Sequence, residues 1–167
     1  MDISEIELLY MNQLNKNLFV DSFLMNENIS KLNEIGVPSL ILNKFIPYTQ
    51  NILSDVITFS KSNLSEIYLG IEMESNNVVC FSDKYNSYTF MNTDYESLIK
   101  TNYTYETFKK ICVSVQTYGP YYDNTPSGGN FEKYAKVLEK LILRIDERSV
   151  KEGIWYSLIQ EMELGVI

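Results

Sequence analysis

"EIYLGIEMESNNVVCFSDKYNSYTFMN", residues 66–92, decides how the chain is read. Three runs rich in β-branched and aromatic residues are cut by the short polar stretches "SNN" and "KYN". Such runs favour pleated strands, and such breaks favour turns. In the first run Ile67, Leu69, Ile71 and Met73 alternate with Tyr68, Gly70 and Glu72. A period of two predicts a half-buried strand whose second face is wet. With "ILSDVITFS" (52–60) before it, the stretch predicts an antiparallel meander over about 52–92.

Outward from the meander the period becomes helical. Ser4 to Glu7 has capping-box spacing ahead of "IELLYMNQL", and "FLMNENISKLNEI" stops at Gly36, with Pro38 two residues on. "PSLILNKFIPYTQ" (38–50) reads as irregular and apolar. Beyond the meander, Thr93 to Glu96 is a second capping box, and Tyr105, Phe108, Cys112 and Val115 predict a helix from about 94 to 116. "TYGPYYDNTPSGGN" (117–130) is a loop by its glycines and prolines, with Ser127 or Asn130 to cap the helix that follows. Phe131, Tyr134, Leu138, Leu141 and Ile145 mark that helix. Ser149 to Glu152 is a further box before a last helix, with Trp155, Leu158, Ile159 and Met162 on its apolar face and Gly165 at its end. Helices, then antiparallel strands, then three helices predict one α+β domain over 1–167.

Composition narrows the chemistry. The chain has 167 residues, no histidine, and 22 acids against 14 bases, for a formal charge of −8. The missing histidine removes the usual neutral-pH base and the commonest transition-metal ligand. A net negative field disfavours nucleic acid and suits a basic protein partner. Cys80 and Cys112 stand apart in apolar surroundings and read as reduced core residues. No apolar run approaches the ~20 residues of a membrane span, and the first residues lack the pattern of a signal peptide. The expectation is a cytoplasmic protein without cofactor or metal, its oligomeric state open.

Candidate functional residues are therefore surface groups. Glu72 and Glu74 fall on one side of a predicted strand, with Asp83 near across the meander. They could act as an acid/base pair, but solvated carboxylates facing a partner fit the alternation better. Glu161 and Glu163 flank Met162 near a helix end. Tyr118, Tyr121, Tyr122 and Asp123 crowd the long loop, and tyrosine is enriched in protein interfaces.

Four segments, in order, resemble the SUKH superfamily of bacterial immunity proteins, above all its fourth subgroup. They are "LNEIGVP" (32–38), "IYLGIE" (67–72), "FMNTDYESLIK" (90–100) and "LRIDERSVKEGIWYSLIQEMELG" (143–165). Val37, the pair Thr93-Asp94, and Glu147 depart from the usual pattern. The resemblance implies a single α+β domain and a non-enzymatic role: binding and blocking a cognate toxin domain, such as a nuclease. It makes Gly36, Pro38, Gly70, Asn92, Asp146, Trp155 and Gly165 structural, with Gly70 at a tight turn or close approach, Asn92 bonding the strand-to-helix junction and Trp155 packing on the core. A histidine-free carboxylate enzyme, or a sensor with an apolar pocket, are the alternatives.

Overall fold

The computed structural model describes residues 32, 36–42, 44–48, 50, 52–118 and 129–165. The expected N-terminal helices, with Ser4 and Glu7, lie outside them apart from Leu32, which is buried. Five strands form one antiparallel sheet in chain order: β1 (Phe45–Pro47), β2 (Val56–Ser62), β3 (Ile67–Glu72), β4 (Val78–Ser82) and β5 (Tyr85–Asn92). Three helices follow: α1 (Tyr95–Tyr118), α2 (Gly129–Leu143) and α3 (Gly153–Glu163), with a 3-10 turn at Arg148–Val150 before the last. The α+β reading holds.

One sheet face carries Ile57, Phe59, Leu69, Ile71, Val78 and Met91. These pack with Leu98 and Phe108 of α1, Leu138 and Ile142 of α2, and Trp155 and Ile159 of α3 into the main core. Leu158 and Met162 are half-buried against it, so the predicted face of the last helix is the packed one.

The other face of the sheet is dry where the alternation predicts water. Val56, Tyr68, Val79 and Phe81 are buried there in a second cluster, under Tyr48, Ile52, Leu53 and Tyr88. The rings of Tyr48, Tyr68, Phe81 and Tyr88 follow one another across the strands at centroid separations of 5.7, 5.6 and 6.1 Å. Gly70 makes this possible. A Cβ there would lie 2.3 Å from Val56 Cγ1, 2.9 Å from the Ile57 carbonyl oxygen and 3.1 Å from the Phe81 ring. Its role is close approach in mid-strand, not a turn. Met73, assigned by alternation to the buried set, is instead 52% exposed in the β3–β4 turn.

Three boundaries also differ. Residues 38–50 contain β1, a three-residue edge strand paired with β2, and Pro47 is tolerated at its end because an edge strand has a side with no ladder to serve. α1 runs through Tyr118 and α2 begins at Gly129, so both ends of the predicted loop 117–130 are helical. Neither capping box that falls on described residues forms. Asp94, not Thr93, caps α1, accepting the Ser97 amide at 2.8 Å. α3 starts at Gly153 with no side-chain cap, while Ser149 sits in the 3-10 turn and the Glu152 carboxylate pairs with Arg148.

Candidate functional site

Asn92 ends β5, and its fully buried side chain joins the sheet to the last helix. The Trp155 indole N–H donates to Asn92 Oδ1 at 2.8 Å. Indole nitrogen can only donate, so this bond fixes the amide's orientation. Asn92 Nδ2 then faces Asp146 Oδ2 and Ser149 Oγ, each at 3.0 Å, and Thr101 Oγ1 at 3.3 Å. Asp146 accepts the Thr93 amide at 2.7 Å and the Thr93 hydroxyl at 2.8 Å. Ser149 completes the set by donating its hydroxyl to the Met91 carbonyl at 2.9 Å. Residues 54 and 63 positions from Asn92 thus close on one amide.

Burial alone would raise the Asp146 pKa. The Thr93 amide and the Ser149, Thr93 and Asn92 side chains outweigh it and hold the carboxyl below the ordinary aspartate value of 3.8. Each hydrogen bond to this charge contributes on the order of 1.5–3 kcal/mol. Asp146 also forms part of the floor of an open cavity of about 550 Å³, whose rim carries Arg148, Lys151, Glu147 and Glu152. Those four are paired among themselves, Arg148 with Glu152 and Lys151 with Glu147.

Gly36 and Gly165 take positive φ angles of 72° and 70°. The buried Tyr95 hydroxyl donates to the Gly36 carbonyl at 2.7 Å, tying the Gly36–Pro38 junction to the start of α1. Burial pushes that phenol well above its ordinary value. Cys80 is a reduced thiol packed against the main core, and burial pushes it up to about 11. Such a thiol is a poor nucleophile at neutral pH. The side chain of Cys112 lies outside the described set.

The acidic candidates do not form one group. Glu72 is half-buried at the end of β3, and Glu74 is exposed in the following turn. Asp83 stands in the β4–β5 turn at the opposite end of the ladder, because Ile71 pairs with Val78 while Ile67 pairs with Ser82. Asp55, which the sequence reading passed over, takes its place. Its carbonyl accepts the Met73 amide at 2.9 Å, and its carboxylate accepts the Tyr88 hydroxyl at 2.7 Å. That bond, with the charges of Asp55 and Glu72, raises the Tyr88 pKa above its ordinary value of 10.0. Asp55, Glu72 and Glu74 make no ion pair among the described residues. They surround the exposed Met73 as an acidic tip. A polar residue just before a strand gave no signal of this, since only the β2–β3 register brings it beside Met73.

Neither the cavity at Asp146 nor a second one beside α3 includes Glu72 or Glu74. Glu161 lines the second, and Glu163 is half-buried beyond it on α3. Of the loop candidates, Tyr118 closes α1 but its side chain lies outside the described set, as do Tyr121, Tyr122 and Asp123 entirely. Among the described residues, no helix is long and apolar enough to cross a membrane.

Fold and site together define an α+β domain on an antiparallel meander, latched to its last helix by a buried Asn–Asp–Trp network. No family model, no curated protein and no solved structure matches the chain.

Proposed function

We propose that this protein is a stoichiometric inhibitor of a basic effector domain, an immunity protein of the SUKH type that acts in the cytoplasm. The acidic tip carries the reading: Asp55, Glu72 and Glu74 lie around a half-exposed methionine, unneutralised by any described base. Long-range attraction from such a tip speeds encounter with a basic cleft, and Met73 offers an adaptable apolar contact once docked. The convergence of Asn92, Asp146 and Trp155 on a buried latch supports the same reading, because it gives the motif residues a structural task. An acid/base role for Glu72 and Glu74 needs both in one concavity. Glu74 stands on an open turn, and a nearby serine hydroxyl, that of Ser75, bonds the Glu72 carboxylate.

The test is binding to a toxin domain, should a neighbouring gene encode one. Reversing Asp55, Glu72 and Glu74 to lysine should slow association at low salt by about tenfold or more and flatten its salt dependence. Asp83→Lys, at the far end of the sheet, should leave the rate nearly unchanged. Equal effects from both ends would remove the tip as the docking surface. A neighbouring toxin domain that does not bind at all would remove the inhibitor reading.

A further inference from the structure

α1 and α3 do not close on each other along their length. Between them and the approach to β1 lies a groove of about 550 Å³, within the range of small-molecule sites. Leu42, Tyr105, Ile154, Leu158 and Met162 supply its apolar wall. Ile154, Leu158 and Met162 recur every four residues along α3, a ridge about 12 Å long at 1.5 Å per residue. All three are packed against the main core yet only half-buried, so their outer surfaces face the groove.

The rim gives the groove a preference. Lys44 and Lys109 stand on one side, with Glu161 on the α3 side. Each ammonium sits over a ring, Lys44 above Phe45 at 5.6 Å and Lys109 above Tyr105 at 5.9 Å. Neither has a carboxylate within ion-pair distance among the described residues, and Glu161 makes no ion pair there either. In a chain of net charge −8, two cations without acidic partners among the described residues, beside an apolar trough, are complementary to an anion carrying a hydrocarbon chain. Glu161 opposes a second negative charge on it.

We propose that this groove binds a single-chain carboxylate amphiphile of medium length, the chain along Ile154, Leu158 and Met162 and the head between Lys44 and Lys109. The site shares no residue with the acidic tip, so it stands or falls apart from the inhibitor reading.

Decanoate is the probe, titrated into the intact protein below its micelle-forming concentration, with decanol and decylamine in parallel arms. Amide chemical shifts locate binding, and the fluorescence of Trp155 reports it, because Tyr105 of the groove wall packs edge-on to that indole at 5.8 Å. The expected result is saturable binding of decanoate, with shifts confined to the segments around 42–44, 105–109 and 154–162. Decylamine should bind at least about tenfold more weakly. Lys44→Glu with Lys109→Glu should cost decanoate a similar factor, while an unchanged melting temperature shows the fold intact. Should that variant fail to fold, the comparison of decanoate with decylamine on the native chain decides alone. Equal affinity for the two, non-saturable partition, or shifts outside the groove would overturn the proposal. So would binding of an acidic amphipathic peptide with none of decanoate.

Discussion

Asn92 has no residue beside it in sequence that explains its burial, and Asp146 looks like one acid among many. The resemblance marks both as structural, but the bonds they make appear only when positions 92, 93, 146, 149 and 155 meet. Asp146→Asn tests the latch most directly. An amide in place of the carboxylate sets a donor or a weaker acceptor against the Thr93 amide and the Asn92 Nδ2, and should cost about 1.5–3 kcal/mol. The carboxyl also sets a pH dependence. Its folded pKa lies below the unfolded value, so its stabilisation is fully present above pH 3.8 and disappears as pH falls through the folded value. Acid titration of stability should therefore be steeper for the native chain than for Asp146→Asn in that window. Parallel curves would mean the charge is not held as described. Trp155→Ala should cost about 3–5 kcal/mol, read as a fall in the denaturation midpoint. Trp155→Phe retains most of the packing but strands Asn92 Oδ1, and about 1–3 kcal/mol of loss is expected.

At the scale of elements, two glycines decide how neighbours approach. Gly153 opens α3 with φ +80°, and a Cβ there would stand 2.0 Å from the Phe90 carbonyl oxygen. Gly153→Ala should lose about 1–3 kcal/mol from the left-handed backbone alone, and more from the overlap with β5. Gly70→Ala meets a side chain first and a backbone second, at Val56 Cγ1 and the Ile57 carbonyl. Adding Val56→Ala should restore part of its stability, whereas no single side-chain truncation should rescue Gly153→Ala. Thermal melts of these variants check both expectations. These positions also show why local pattern misled. Tyr68 and Gly70 read as a wet face because one has a hydroxyl and the other no side chain. In the fold the Tyr68 hydroxyl reaches out to Glu66 at 2.6 Å while its ring is buried, and the absent side chain of Gly70 is the space that Val56 and Phe81 fill. The box at Ser149 failed for a related reason: its hydroxyl serves the Met91 carbonyl, a distant acceptor that spacing cannot reveal.

Across the whole molecule, the meander and the three helices after it were legible because both rest on periodic burial over many residues. β1 was not, since three residues ending in proline carry no period, and their pairing depends on β2 presenting an edge. The acidic tip was half legible: Glu72 and Glu74 stand either side of Met73 in sequence, but Asp55 joins them and Asp83 leaves them only through the register. That register also predicts how the fold opens. β3 and β4 have a strand on each side and packed clusters on both faces, with Leu69 opposite Cys80 and Tyr68 opposite Phe81. β1 has three residues, pairs with one strand among the described residues, bridges back to Ile41 only at the buried Phe45, and turns outward an Ile46 that is 44% exposed. Local opening requires few buried contacts and water-accessible hydrogen bonds, conditions met at the exposed Ile46 of β1 and in neither central strand. The amides of Leu69 to Ile71 and Val79 to Phe81 should therefore exchange with solvent only through global unfolding. That of Ile46 should exchange faster by orders of magnitude. In amounts of denaturant too small to unfold the chain, rates at the central amides should rise with the full surface dependence, and that at Ile46 should barely move. Comparable protection at Ile46 and in β3 would mean that the sheet opens as one unit, its edge held by contacts beyond the ladder.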